Sequence, residues 1–204
     1  MRNKIEVIVF DLGNVLIPFD YKRLVNAMNN IDSGLGDRFV KNYYDNYHVH
    51  RKYERWELND SEFIKILIKW SENKIPEEKL KHIYADLFVE NKETTELLPL
   101  LKKNYMLVLL SNTNFVHQKY GWEKYDFLKY FDKLILSHEV GAIKPEEKIY
   151  RAVENFTNKT SESHIFIDDI AEYIEGAKKC GWHGVQFTSA RKLKDDLKSF
   201  GIIF

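Results

Sequence analysis

The sequence predicts a three-layer α/β fold, a parallel sheet with helices on both faces, with a small all-helical cap inserted after the first strand. Three observations carry this reading. Short apolar, largely β-branched runs alternate with helical patterns over most of the chain, as in a sheet buried on both faces. Several of those runs stop abruptly on polar residues, which places chemistry at one edge of such a sheet. Residues 17–91 show no convincing strand, and that stretch is too long for an ordinary strand-to-helix connection.

Ile5 to Phe10 is the first strand, ending at Asp11, with Gly13 providing for a tight turn or a close backbone approach. Tyr21 to Asn29 reads as a helix with Asp20 as its cap. Within 39–88 the pattern is helical, with a start at Asn59 to Glu62 and another at Pro76 to Glu78. Thr94 to Lys103 is a core helix, and Tyr105 to Leu110 is a strand that stops at Ser111-Asn112. Phe115 to Tyr120 is helical and Trp122 to Tyr130 is ambiguous. Phe131 to Leu136 is a strand, His138 to Ala142 a loop, and Lys144-Pro145 opens a helix. His164 to Ile167 is a strand ending at Asp168-Asp169, followed by a helix closed by Gly181, a strand at His183 to Phe187 and a last helix at Arg191 to Ser199. The domains are therefore 1–16 with 92–204 as the α/β core, and 17–91 as the cap.

Composition narrows the function. The chain has 204 residues, 44% hydrophobic and 30% charged, enough for one core and a small second domain. Lys+Arg and Asp+Glu balance at 31 each, so nothing points to nucleic acid or an anionic membrane. No apolar run approaches the ~20 residues of a membrane helix, and the first residues carry no leader core. The single cysteine, Cys180, forms no internal disulfide and reads as a packing residue, which suits a reducing compartment. The expectation is a cytoplasmic monomer or weak homodimer whose partner is a small molecule.

The strand ends supply a coherent chemical set. Three carboxylates, Asp11, Asp168 and Asp169, without a cysteine or histidine cluster, suit a hard cation such as Mg²⁺. Lys144 and the Ser111 hydroxyl suit phosphoryl oxygens. Asp11 is itself a possible nucleophile, since carboxylates form acyl phosphates.

These residues carry a resemblance. Asp11-Leu12-Gly13-Asn14-Val15, Ser111, Lys144-Pro145 and Asp168-Asp169 resemble, in order and spacing, the four motifs of the haloacid dehalogenase-like hydrolase superfamily over essentially the whole chain. FDLGNVL, LLSNTN and the segment around KPE resemble in particular the bacterial α-glucose-1-phosphate phosphatase-like branch. The resemblance implies a Rossmann-like core and a phosphomonoester hydrolase working through an aspartyl-phosphate on Asp11. It implies Mg²⁺ held by Asp11, the Gly13 carbonyl and Asp169, with Asp168 assisting. Ser111 and the Asn112 N–H would hold phosphoryl oxygens, and Lys144 would neutralise Asp11 and the phosphate. One position departs from the pattern: the acid–base aspartate usual two residues after the nucleophile is Gly13, which cannot protonate a leaving alcohol. That departure keeps a second reading open, a catalytically weak protein that binds a phosphorylated ligand. Dehalogenation is disfavoured, because those relatives have no metal site.

In the cap, His50, Tyr53, Arg55 and Tyr47 are the candidates to meet substrate, with Tyr43, Tyr44 and Glu54 nearby. The competing reading is that the aromatics pack the helices and that Glu54 and Arg55 pair at the surface. His117, His138 and His164 read as surface or supporting groups, Trp70, Trp122 and Trp182 as packing residues, and Asn14 as fixing the turn after Asp11.

Overall fold

The structure is a computed structural model that describes residues 5–204. Met1 to Lys4, taken above as part of the core and as lacking a leader, lie outside the described residues. Strand β1 (Val7–Phe10) is the centre of a five-stranded sheet of order β3-β2-β1-β4-β5. Its neighbours are β2 (Met106–Ser111) and β4 (His164–Asp168), with β3 (Lys133–Leu136) and β5 (His183–Gln186) outside them. All four pairings are parallel.

The apolar runs are continuous because both faces of the sheet are covered. Val7 and Val9 face Ile149 and Val153 of α10 (Glu147–Thr157) and Ile174 and Ala177 of α11 (Ala171–Lys179). Ile8 and Phe10 belong to the opposite cluster, with Leu193 and Leu197 of α12 (Ala190–Ser199). That second cluster runs on without a break into the segment between β1 and β2. There lie α1 (Tyr21–Asn29), α2 (Leu35–Asp45), α3 (Tyr47–Glu54), α4 (Asp60–Trp70) and α5 (Glu77–Ala85). Asp20 caps α1 by accepting from the Lys22 N–H, and Asn59 with Glu62 forms a reciprocal capping box on α4.

The chain enters and leaves this helical insert along two adjacent passages. Asp20 N–H donates to the Leu87 carbonyl (2.7 Å), Val89 N–H to Pro18 (3.1 Å) and Asn91 N–H to Leu16 (2.8 Å). The insert also meets the core where α8 (Phe115–His117) runs into a π turn at Gln118–Trp122. A Cβ on Gly121 would lie 2.8 Å from the Ala85 carbonyl oxygen, so only glycine lets α5 approach this closely.

Local structure departs from the sequence reading in three places. The helix read over 94–103 is two short ones, α6 (Lys92–Thr95) and α7 (Leu98–Leu101), because Pro99 has no N–H to carry an α-helix across. The loop read at 138–142 begins with a helical turn, α9 (Ser137–Val140), closed by Gly141 at φ 66°. The helix after Pro145 starts at Glu147, not Lys144, and the Asn112 side chain accepts from the Lys144 N–H at 2.8 Å in the loop before it. The ambiguous stretch contains a 3₁₀ turn at Asp126–Tyr130. No helix among the described residues is long and apolar enough to cross a membrane.

Candidate active site

Register brings the chemistry together. Phe10 pairs with Leu109 on one side and Ile167 on the other, so the next residues, Asp11 and Asp168, end their strands level with each other. The ladder continues one step further, with Asp11 N–H donating to the Ile167 carbonyl at 2.8 Å. Ser111 ends β2 beside them.

Lys144 reaches this edge from the loop after α9. Its Nζ donates to Asp11 Oδ1 and to Asp168 Oδ2, both at 2.6 Å, and the side chain is 1% exposed. Its backbone is held in place by Asn112, whose Oδ1 accepts from the Lys144 N–H and whose Nδ2 donates to the Lys144 carbonyl at 3.3 Å. Burial pushes the Asp11 carboxyl up to about 7; Lys144 opposes that rise and Asp168 adds to it. Burial works against charge on Lys144, but the two carboxylates more than offset it and hold the ammonium above its ordinary range.

Carboxylate oxygens of Asp11, Asp168 and Asp169 fall within 4.8 Å of one another. An all-oxygen set next to a strand end fits a hard divalent cation. Asp168 is the most committed of the three, because Oδ1 also accepts from the Ile170 N–H at 2.8 Å. Asp169 is tied more loosely, accepting from Asn14 Nδ2 at 3.1 Å. The Gly13 carbonyl accepts from the Val15 N–H at 2.7 Å and keeps a second lone pair.

A cavity of about 160 Å³ opens from this edge beneath the insert, walled by Asp11, Gly13, Ser111, Asn112, Lys144 and Asp169 on the core side. The insert contributes Tyr43 and Tyr44 from α2, Tyr47, His50, Arg51 and Glu54 from α3, and Tyr84 from α5. Tyr47, His50, Arg51 and Glu54 are spaced i, i+3, i+4, i+7, which is one face of a helix. That periodicity corrects two of the four substrate candidates. Tyr53 is buried away from the cavity, stacked on Phe63 at 4.0 Å with its hydroxyl donating to Asp60 at 2.6 Å. Arg55 turns to the core surface and pairs with Glu146 at 2.6 Å. Glu54 therefore does not pair with Arg55; it is buried against His50 (3.2 Å) and Arg51 (3.0 Å).

Arg51 does not figure in the sequence reading and, like Arg55, ties insert to core. It donates to the Lys144 carbonyl at 3.2 Å and to the Tyr173 hydroxyl at 3.3 Å. Tyr84 was also missed; His50 Nδ1 lies 3.1 Å from its hydroxyl. His117 is neither exposed nor peripheral. It is buried on the cavity wall, stacked on Tyr84 at 4.4 Å, and burial holds it neutral, well below the ordinary histidine range. Trp122 also reaches that wall, its Nε1–H donating to Thr113 Oγ1 at 3.2 Å. His164 is structural, placed between Thr157 Oγ1 and the Thr160 carbonyl at 2.9 Å each.

The model of the haloacid dehalogenase-like hydrolase family matches residues 5–181. The chain belongs to that family. Among the relatives of this hydrolase is the D-ribitol-5-phosphate phosphatase of Bacteroides thetaiotaomicron, 29% identical over 192 residues, covering 89% of this chain and 91% of the relative. A phosphorylated carbohydrates phosphatase of Thermotoga maritima is 24% identical, covering 86% of this chain and 82% of the relative. Among solved structures, a family enzyme of Bacteroides thetaiotaomicron in complex with magnesium and inorganic phosphate has a TM-score of 0.78 at 25% identity, covering 90% of this chain and 94% of that one. The L-2-haloacid dehalogenase of Xanthobacter autotrophicus shares the fold, with a TM-score of 0.64 at 16% identity over 98% of this chain and 85% of that one.

Proposed function

We propose that this hydrolase is a Mg²⁺-dependent phosphomonoesterase acting on a small phosphorylated carbohydrate or polyol through an aspartyl-phosphate intermediate. The observation that carries the reading is Lys144 Nζ bridging Asp11 and Asp168 at 2.6 Å each, beside Asp169. A buried lysine clamped to a strand-end aspartate provides the positive charge that lets an anionic carboxylate approach an anionic phosphate. The relatives' printed activities, on ribitol phosphate and on phosphorylated carbohydrates, supply the substrate class.

In this reading an Asp11 oxygen attacks phosphorus in line, the ester oxygen leaves with its electron pair and takes a proton from solvent, and water then attacks the acyl phosphate, freeing phosphate and regenerating the Asp11 carboxylate. Ser111 Oγ and the Asn112 N–H hold phosphoryl oxygens. Lys144 opposes the rise that burial imposes on the Asp11 carboxyl and meets the negative charge of the transferring group. Asp11, Asp169 and the Gly13 carbonyl would hold the Mg²⁺, with Asp168 steadying Lys144 behind them. The bound cation supplies neutralisation of charge on the nucleophile and the phosphoryl oxygens. We take residues 17–91 as a cap that screens the site from water.

Phosphate release from an aryl phosphate and from alditol phosphates, with and without Mg²⁺, tests the proposal. Multiple turnovers that need Mg²⁺ and vanish in Asp11→Asn support it. Tight stoichiometric binding of the same compounds without turnover would favour the second reading, a phospholigand-binding protein. Gly13, with no acid at its position, is the feature that keeps that reading in play.

A further inference from the structure

Resting on the phosphatase reading, we propose that Glu54 is a specificity-determining residue: a fixed carboxylate in the cavity wall that accepts substrate hydroxyls and repels any second anionic group. The substrate class is then phosphomonoesters of neutral polyhydroxylated compounds, to the exclusion of bisphosphates and phosphorylated sugar acids.

Glu54 is 4% exposed and lines the same cavity as Asp11 and Lys144. Its Oε1 lies 3.2 Å from His50 Nε2 and its Oε2 3.0 Å from Arg51 Nη1. Burial acts against its charge, but His50, Arg51 and Lys144 together hold the carboxyl below its ordinary range. Each oxygen therefore carries negative charge and, with one partner apiece, retains a lone pair for a hydroxyl donor. His50 is occupied on both nitrogens, by Glu54 and by the Tyr84 hydroxyl at 3.1 Å, so the carboxylate sits in a set orientation.

The cations of the wall are largely engaged. Arg51 uses three of its five donor hydrogens, Nη1 meeting Glu54 and the Tyr173 hydroxyl and Nη2 the Lys144 carbonyl. Lys144 Nζ serves Asp11 and Asp168. His117 is kept neutral by burial. Away from the phosphate end, Arg51 is the one arginine or lysine of the described wall; Glu54 matches its charge at 3.0 Å and opposes a second phosphate or carboxylate.

What remains suits a neutral polyol. Burial pushes the Tyr47 hydroxyl up to about 12 and holds that of Tyr84 well above its ordinary range, so both stay protonated and uncharged. Tyr44 and Tyr47 line the cavity and stay exposed, so their rings are available to carbon–hydrogen bonds, while Glu54 and the hydroxyls take the polar groups.

The test compares a five-carbon alditol 5-phosphate with the corresponding aldonate 5-phosphate, which differ only in a terminal CH₂OH against COO⁻. An aryl phosphate reports on the phosphoryl site in every sample. Like charges forced together at a recognition site are costly, so the wild type should favour the alditol in kcat/KM by about tenfold or more. In Glu54→Gln that ratio should collapse toward unity, with kcat/KM for the aldonate rising. Glu57→Gln, an exposed neighbour on the same segment, should keep the wild-type ratio. A wild-type protein that turns over both compounds equally overturns the proposal without any variant. A ratio unchanged in Glu54→Gln also overturns it, leaving the phosphatase reading intact provided the aryl phosphate is hydrolysed. Loss of Mg²⁺-dependent aryl phosphate hydrolysis in the wild type would remove both.

Discussion

The ring of Phe19 occupies the space that a side chain on Gly13 would need. A Cβ built on Gly13 lies 2.8 Å from Phe19 Cζ and 3.0 Å from Cε2. The ring is held there by Tyr21, stacked at 5.9 Å, and by Phe88 at 5.6 Å. Gly13 itself is absent from the left-handed backbone positions, so its φ does not demand glycine. The sequence suggested a tight turn or a close approach of backbone to ligand at Gly13; the group beside it in the structure is an aromatic ring of this chain.

Gly13→Asp alone should therefore fail to supply a proton donor. Overpacking against Phe19 should cost about 1–3 kcal/mol, and kcat toward alkyl phosphates should not rise. In Gly13→Asp with Phe19→Ala the new carboxyl has room. General acid help is worth ~10²–10⁴-fold, so kcat for poor leaving groups should increase and its dependence on leaving-group pKa should flatten. A rate gain above about tenfold in the single variant would show that Phe19 is no obstacle.

Lys144 and the two carboxylates it bridges should dominate stability near the site. Lys144→Met leaves Asp11 and Asp168 buried side by side with no cation. Removing one partner of a buried ion pair typically costs about 3–5 kcal/mol, so urea unfolding of the metal-free variant at pH 8 should show a loss of that order. The loss should shrink at pH 5, where the carboxyls can take up protons. Equal losses at both pH values would mean that charge is not the cause.

The raised Asp11 carboxyl also sets a pH dependence. Its value moves from the ordinary 3.8 up to about 7, mainly through burial. Below pH 4 both folded and unfolded states bind the proton, and the stabilisation associated with the raised value is fully present. It is lost as pH rises through 7, where the folded state must bury a charge, at up to about 1.4 kcal/mol per pH unit. As the proposed Mg²⁺ ligand, Asp11 would bind the cation in its ionised form, so binding should release a proton. Apparent Mg²⁺ affinity should strengthen with pH up to about 7 and level off above it, readable by calorimetry in two buffers of different ionisation enthalpy. Flat affinity between pH 5.5 and 8 would contradict the assignment.

Two arginines one helical turn apart should behave differently. Arg55 pairs with Glu146 while both are a third or more exposed, and such pairs contribute under about 1 kcal/mol. Arg51 partners a buried Glu54 and the Lys144 carbonyl, so Arg51→Ala should cost about 2–4 kcal/mol. It should also raise KM for alditol phosphates. Thermal melts of the two variants, side by side, decide the ranking; comparable losses would argue against Arg51 as the stronger link between insert and core.

The strand ends were legible because they depend on local signals. Asp11, Ser111, Lys144 and Asp168-Asp169 each follow an apolar run or a Pro-marked turn, and a parallel sheet brings such ends to one edge. The helix caps at Asp20 and Asn59 were legible for the same reason. The cavity wall was harder. Tyr53 and Arg55 sit in the same aromatic, charged stretch as His50 and Arg51, and composition does not separate them. Only the phase of α3, set by how Phe63 and Tyr84 pack beneath it, decides which of them face the cavity.

The missing carboxylate at position 13 shows only against the pattern of the family that the sequence resembles; by itself, the amino-acid sequence determined the α/β core with a helical insert and the acidic and cationic groups at the sheet edge. These follow from periodicity and residue chemistry, which neighbours in the chain define. Tertiary structure alone decided that Phe19 fills the space beside Gly13, that the face of α3 carrying Glu54 is turned into the cavity wall, and that Arg51 joins two layers 93 residues apart in sequence at Lys144. Those contacts arise from side chains brought together by packing across the cavity, a geometry that no local pattern encodes.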